Sequence, residues 1–299
     1  MALSLSDRRS RRRLSLWLPM AVLGVMVAAP LAQARPPLPE PPLTDPATDS
    51  ALDTILAGPQ RSAANRDRDV YRHPKATLEF FGIRRDQTVM EVWPGKGGWW
   101  TEILAPLLRD HGHYIAAQWN PKLDEPFIQD GLKAYHAKLA ADPANYGKVT
   151  VVALQYPGAL TPVAPDSVDL ALTFRNLHNW LGNPDDAKAM LSAVFRSLKP
   201  GGILGIEDHR AASGRPADTQ LKLGYVDEAQ AIELIKSVGF EYLGSSEVNA
   251  NAKDTKDYEQ GVWTLPPNYR LGDKDRERYK AIGESDRFTL KFRKPPNAR

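Results

Sequence analysis

The sequence predicts an α/β domain built on a mostly parallel sheet, and three observations carry that prediction. From residue 88 onward, short apolar runs alternate with helix-patterned segments, the order that lays parallel strands side by side under helices on both faces. The first run, Val89-Met90-Glu91-Val92-Trp93, carries an acid near its end and passes through Pro94-Gly95-Lys96-Gly97-Gly98 before a helix-like segment opens. At the far end, Phe240–Val248 and Asp286–Phe292 read as two strands with no strong helix between them, so the chain closes differently from the way it begins.

The elements follow in order. Five arginines lie between Arg8 and Arg13, Leu14 to Pro30 is nearly all apolar, and Ala32-Gln33-Ala34 follows. A basic segment, an apolar segment and an A-x-A site describe a secretory signal peptide over residues 1–34, cleaved after Ala34. An uncleaved anchor is the other reading, against which the apolar run is at the short end for a bilayer span. Ser10-Arg11-Arg12-Arg13-Leu14 also resembles a twin-arginine signal, which would export the chain already folded. The expectation is a periplasmic or secreted protein with no stable membrane span after cleavage. Residues 35–48 read as a tether, because the proline-rich part from Arg35 to Pro46 can form neither helix nor central strand.

Residues 49–299 form the domain. Ser50 to Leu56 has helical spacing with a Ser cap, and Asp69 to Phe81 gives a second helix ending near Gly82. Strands are expected at Thr88–Trp93, Tyr114–Trp119, Val149–Leu154, Val168–Thr173 and Ile203–Asp208, separated by segments such as Trp99–Leu108 and Asp185–Leu198. The helix Asp227–Val238 precedes the final two strands. Between those strands, Asn249 to Gly283 is a polar insertion carrying Tyr258, Trp263 and Tyr269, expected to be a loop or lid over one end of the sheet.

The charge balance excludes one class of partner. The formal net charge of +3 resides in the leader, which takes five of the 39 Lys and Arg and one of the 36 Asp and Glu, leaving 34 basic against 35 acidic groups. Nothing in that remainder indicates a nucleic-acid surface, and a small-molecule substrate is expected. The absence of cysteine excludes disulfides, thiolate zinc sites and a Cys nucleophile.

Five stretches carry a family resemblance: Arg66-Asp67, Arg72-His73-Pro74, the Trp93-Pro94-Gly95 turn, Phe174-Arg175-Asn176-Leu177-His178-Asn179-Trp180, and Asp286-Arg287-Phe288-Thr289-Leu290-Lys291-Phe292-Arg293-Lys294-Pro295. Together with Pro165–Phe174 and Leu198–Asp208 they resemble class I S-adenosylmethionine-dependent methyltransferases, in particular a bacterial, often exported, branch of predicted ones, over roughly Arg66 to Pro296. The resemblance implies a Rossmann-like seven-stranded, mostly parallel sheet in the order 3-2-1-4-5-7-6 with an antiparallel final strand. It also implies S-adenosylmethionine as cofactor and methyl transfer to a small molecule or envelope component.

Ligands of open α/β sheets sit beyond the carboxyl ends of the strands. The resemblance then places Glu91, Trp93, Pro94, Gly95, Gly97 and Asn176 at the cofactor, with Gln118 and Asn120 where its ribose is held. Arg175, His178, Asn179, Asp208 and His209 fall at the rim where methyl donor and acceptor meet. Methyl transfer is an in-line displacement that needs positioning and, for a hydroxyl or amine, removal of a proton, and His178 is the candidate base. Asp208-His209-Arg210 offers a second base or a clamp for an anion. A metal held by His178, Asp208 and His209 is conceivable, but no local ligand spacing supports it and none is assigned. Trp99-Trp100 reads as helix-to-sheet packing, and Arg72-His73-Pro74 as either a helix cap or a cover of the pocket mouth.

Two departures keep a second reading open. Trp93 stands where the usual pattern has its first glycine, and Gln118 or Asn120 replaces the acid that takes the ribose hydroxyls, an amide accepting more weakly than a carboxylate. The alternative is an exported binding module or other repurposed protein on the same fold, with a degenerate cofactor site. A nicotinamide oxidoreductase is disfavoured by the terminal strand pair and by the missing acid.

Overall fold

The computed structural model describes residues 44–155, 159–160 and 163–298, all within the compact unit Pro41–Arg299. The leader at 1–34 and the tether up to residue 43 lie outside the described residues. Among the described residues, no helix is long and apolar enough to cross a membrane.

Eight strands form one sheet: β1 Thr88–Val92, β2 His113–Trp119, β3 Thr150–Gln155, β4 Ala159–Leu160, β5 Val168–Phe174, β6 Leu198–His209, β7 Glu241–Ser246 and β8 Arg287–Arg293. Their spatial order is β4-β3-β2-β1-β5-β6-β8-β7. Without the two-residue edge strand β4, the seven main strands lie in the expected order 3-2-1-4-5-7-6. Pairings from β3 across to β6 are parallel, while β8 runs antiparallel to both β6 and β7. The order reverses between β1 and β5, so a crevice opens at their carboxyl ends.

Both faces of the sheet are covered, which is why the central strands read as apolar runs rather than as alternating ones. Met90, Val92, Ala171 and Leu204 face one core with the helix Pro184–Ser197. That helix starts at Asn183, whose side chain accepts from Asp185 N, and buries Ala187, Met190, Leu191 and Val194 at helical spacing. On the other face, Val89, Leu170 and Leu172 pack against Leu52, Leu78, Phe81 and the helix Thr101–Leu108. Pro106 lies inside that helix and leaves the Glu102 carbonyl without its usual donor. Gln60 Nε2 reaches that carbonyl at 3.4 Å.

Four boundaries differ from the sequence reading, one being that β6 begins at Leu198 rather than Ile203. The first helix is Pro46–Ala57, capped by Asp45, whose carboxylate accepts from Ala47 and Thr48 N, so Ser50 lies inside it and the helix begins within the stretch read as tether. The expected helix Asp69–Phe81 breaks at His73, which adopts φ 38°, because the residue before a proline is disfavoured in the right-handed helical region. The insertion 249–283 is structured rather than an open loop. It holds a 3₁₀ turn Gly261–Thr264 and a helix Arg276–Ile282 around a small core of Tyr258, Leu265 and Tyr279. Asp254 anchors it, accepting from Tyr225 Oη at 3.1 Å and from Asp286 N at 2.8 Å.

Candidate active site

A cleft of about 520 Å³ opens at the crevice between β1 and β5. Its floor is the turn after β1, one wall is the segment after β5, and the insertion contributes Val262, Trp263, Pro266, Pro267 and Asn268. Of the residues expected at the site, Glu91, Trp93, Pro94, Gly95, Arg175, Asn176, His178, Asn179 and His209 line this cleft.

Glu91 closes the floor and is buried. Tyr114 Oη donates to its Oε2, and Thr101 Oγ1 links Tyr114 to Tyr135 at 3.0 Å each. Burial pushes the Glu91 carboxyl up to about 8, against the opposing pull of the Tyr114 hydrogen bond and of Arg175 and Arg72. The turn itself divides into two parts. Gly98 (φ 52°) is needed for packing, since a Cβ there would lie 3.0 Å from Tyr135 Cε2. At Gly95 (φ 73°) and Gly97 an added Cβ meets nothing within 4 Å. Among the described residues, the N–H groups of Gly95, Lys96 and Gly97 make no hydrogen bond, so this stretch of backbone is open to a ligand.

Trp93 enters the turn with φ 50°, and its indole lies 6.0 Å from both Trp119 and Trp180. The aromatic wall so formed occupies the side of the cleft nearest β2. Gln118 and Asn120 do not line the cleft. Gln118 Nε2 sits 3.4 Å from Gly95 O, and Asn120 accepts from Lys122 N at 3.0 Å in a local turn. Gly97 is exposed beside the cleft. Asn176 has a positioning role, donating to Val92 O at 2.9 Å and Thr173 Oγ1 at 3.1 Å, which ties the end of β5 to the end of β1.

His178 and Asp208 form a pair. Asp208 is fully buried and accepts from the backbone N–H of His178 at 3.0 Å and of His209 at 2.8 Å. His178 Nδ1 lies 2.9 Å from Asp208 Oδ1. A carboxylate only accepts, so Nδ1 carries a proton, and Nε2 is the nitrogen that holds the lone pair in the neutral tautomer. His209 packs 5.3 Å away, ring to ring, with Nδ1 at 2.6 Å from Ser285 Oγ. Burial, reinforced by His178, Arg175, Arg287 and Arg72, holds His209 well below its ordinary value, so it is neutral. Arg210 turns away into ion pairs with Glu228, Glu247 and Asp286, which removes it as a clamp in the cleft.

Ligand atoms of His178, Asp208 and His209 lie within 4.8 Å of one another, close enough to hold a metal ion. Asp208 already accepts three N–H groups, however, and the surroundings are strongly cationic. The arrangement is therefore a hydrogen-bonded pair with a neutral neighbour rather than a cation cage.

The inner end of the cleft is built from charges. Glu284 accepts from Arg68 Nε at 2.7 Å, Arg72 Nε at 3.1 Å and Arg287 Nη1 at 3.2 Å. Arg287 also pairs with Glu207 at 2.9 Å and donates to Tyr71 O. Burial alone would raise Glu284, but Arg72, Arg287, Arg68 and Arg175 hold it down at about 2. Arg175, at φ 59°, has its backbone N–H on Glu207 O at 2.7 Å and its side chain in the cleft. Trp99 and Trp100 are buried as packing residues: Trp100 stacks on Phe174 at 4.0 Å, while the Trp99 ring carries the Arg72 guanidinium at 4.7 Å. Both also border the cleft.

Sequence reasoning missed Arg68, Glu284, Ser285 and Arg287 as parts of one cluster. The signal was present in Glu284-Ser285-Asp286-Arg287, a run of polar side chains directly before an apolar strand. What the sequence alone did not show is that β8 lies beside β6 and brings that run to the same end of the sheet.

The fold matches solved structures over most of the chain. An S-adenosylmethionine-dependent methyltransferase from Aquifex aeolicus is 16% identical, covering 84% of this chain and 98% of its own with a TM-score of 0.51. The 4+2 cyclase SpnF is 18% identical, covering 80% and 85%, with a TM-score of 0.50. At these identities the likeness is one of fold. No family model and no curated protein matches the chain.

Proposed function

We propose that the cleft moves a methyl group from S-adenosylmethionine to a small-molecule acceptor or an envelope component, with His178 taking the acceptor's proton. The observation that carries this reading is the coincidence of two features in one cleft: an open glycine turn after β1, and a histidine whose Nδ1 is fixed by the buried Asp208. The likeness to a methyltransferase fold supports it.

The residues present fit the methionine end of the cofactor. The unspent N–H of Gly95, with those of Lys96 and Gly97 at the cleft's edge, would meet its carboxylate, above Glu91, and Trp93 with Trp119 offers an aromatic wall. When bound, the cofactor supplies a methyl group on a positively charged sulfur. The chain contributes the rest. Asn176 fixes the two loops at a set spacing. Asp208 fixes the ring of His178, whose Nε2 would receive the proton that an acceptor hydroxyl or amine gives up when the methyl group passes to it and the carbon–sulfur electron pair stays on sulfur. Val262, Trp263 and Pro266, from the insertion, line the cleft and would keep water from its apolar side.

The runner-up is a binding module with a repurposed cleft, supported by the indole of Trp93 in the wall and the amide at Gln118. The open turn and the His178–Asp208 pair favour the first reading. Export is proposed with it, on the order of basic, apolar and A-x-A segments in residues 1–34.

The test is transfer of a labelled methyl group from S-adenosylmethionine to the small-molecule and envelope fractions of a cell extract. A labelled product formed by the wild type and lost with His178→Gln supports the reading; no product from correctly folded protein contradicts it.

A further inference from the structure

We propose that the inner end of the cleft is an oxyanion subsite, in which Arg72 and Arg175 receive a carboxylate or phosphate borne by the acceptor. Its assignment to the acceptor rests on the methyl-transfer reading; the subsite itself rests on the side chains alone.

The charges do not balance without a ligand. Arg68, Arg72, Arg175 and Arg287 converge on the carboxylates of Glu207 and Glu284, an excess of two positive charges in a buried setting. The other acid in the wall, Glu91, does not offset them, because burial favours its neutral form. His178 and His209 face the same end, and neither adds a negative charge. Asp208, held by three N–H donors, keeps its one negative charge, which still leaves one positive charge in excess.

The donors are also not all used. Nη2 of Arg72 and Nε of Arg175 are buried and meet no hydrogen-bond partner among the described residues. Arg72 is 1% exposed and yet borders the cleft. A buried charged N–H without a partner is costly, and guanidinium groups repel one another in a low-dielectric setting. A planar fork of N–H groups matches a carboxylate or phosphate better than it matches any neutral group.

The arrangement is held rigid. Arg72 lies between Glu284, at 3.1 Å, and the face of Trp99, at 4.7 Å. Arg175 is anchored by its backbone N–H on β6. Arg175 stands three residues before His178, so an acceptor gripped at its anionic end presents its remaining groups to the same wall as the base. A volume of about 520 Å³ leaves room for a small acid beside a nucleoside-sized ligand.

The same oxyanion chemistry has a second source, the amino-acid carboxylate of the cofactor itself, and the experiment separates the two. The full protein is titrated with inorganic phosphate and with benzoate, free and after saturation with S-adenosylhomocysteine, following tryptophan fluorescence. The expected result is saturable binding of at least one anion that persists in the saturated protein. With Arg175→Gln and with Arg72→Lys, each checked for an unchanged circular dichroism spectrum, the affinity should fall about tenfold or more. Anion binding that is competed away by S-adenosylhomocysteine assigns the arginines to the cofactor and overturns the proposal. So does the absence of saturable binding, or binding unchanged in both variants. If S-adenosylhomocysteine does not bind while the anion does and the variants lose it, the subsite stands and the methyl-transfer reading falls.

Discussion

Glu91→Gln should flatten the pH dependence of stability, and the size of the effect follows from the burial of the carboxyl group. Glu91 is 2% exposed, forms no ion pair among the described residues, and holds a single hydrogen bond from Tyr114. Its carboxyl is raised from 4.5 to about 8. Between those values the folded state keeps a proton that the unfolded state has released, so stability is fully present below the unfolded value and declines as pH rises through the folded one. The slope is about 1.4 kcal/mol per pH unit at most, and the loss across the window is roughly 5 kcal/mol. Glutamine has nearly the same shape, accepts from Tyr114 and does not titrate. Urea unfolding of both proteins from pH 5 to 9 gives the comparison, taken as the difference between variant and wild type at each pH. His209, neutral in the fold, contributes a slope of opposite sign near its ordinary value, but it is present in both proteins and cancels. The difference should grow in favour of Glu91→Gln from the acid side to about pH 8 and then level off. A difference that stays constant across the range would refute the assignment of a buried, neutral Glu91.

Other expectations follow from the same geometry. His178→Gln removes the base without touching the turn after β1, so turnover should fall by about 10²- to 10⁴-fold while calorimetric affinity for S-adenosylhomocysteine stays within about twofold; equal losses in both would make His178 a binding residue. Trp93→Gly relieves a positive φ but removes the indole between Trp119 and Trp180, and should weaken S-adenosylhomocysteine binding about tenfold. Tighter binding in that variant would show the indole to be an obstruction and favour the repurposed module. Gly205→Ala places a Cβ 2.7 Å from the Phe81 ring and 2.8 Å from Leu172 Cδ2, and should cost about 1–3 kcal/mol in urea unfolding; an unchanged midpoint would mean the β6-to-helix contact yields freely.

The sheet was legible in the sequence because its signals are local. The five parallel strands are apolar runs bounded by turn residues while β7 and β8 mix polar and apolar residues, and all lie near their predicted places, although β6 begins at Leu198 rather than Ile203. The cap at Asp45 was missed because Ser50 offers a hydroxyl suited to the same role, and only the acceptance of Ala47 and Thr48 N by the Asp45 carboxylate shows that the helix begins earlier. The break at His73 was foreshadowed by Pro74, since periodicity continues across the two short helices while the backbone does not.

The candidate site was legible in part, for a reason of the same kind. Glu91, the glycine turn, Arg175 and His178 each follow directly from a strand end and so could be placed from the strand pattern. The partner of His178 is Asp208, thirty residues away on the neighbouring strand. The arginine cluster draws on residues more than two hundred positions apart, Arg68 and Arg72 against Glu284. No local pattern specifies such a pairing; it is set by the packing of the segment before β1 against the segment before β8. Gln118 was expected at the ribose from its place at the end of β2, but its amide lies under the turn, at Gly95 O.

The most direct test of the central claim is calorimetric titration of the purified protein with S-adenosylmethionine and S-adenosylhomocysteine. Saturable binding of both, with one site per chain and affinity in the micromolar range, is the predicted result. Absence of heat up to millimolar ligand, from protein that unfolds cooperatively in urea, would contradict methyl transfer at this cleft.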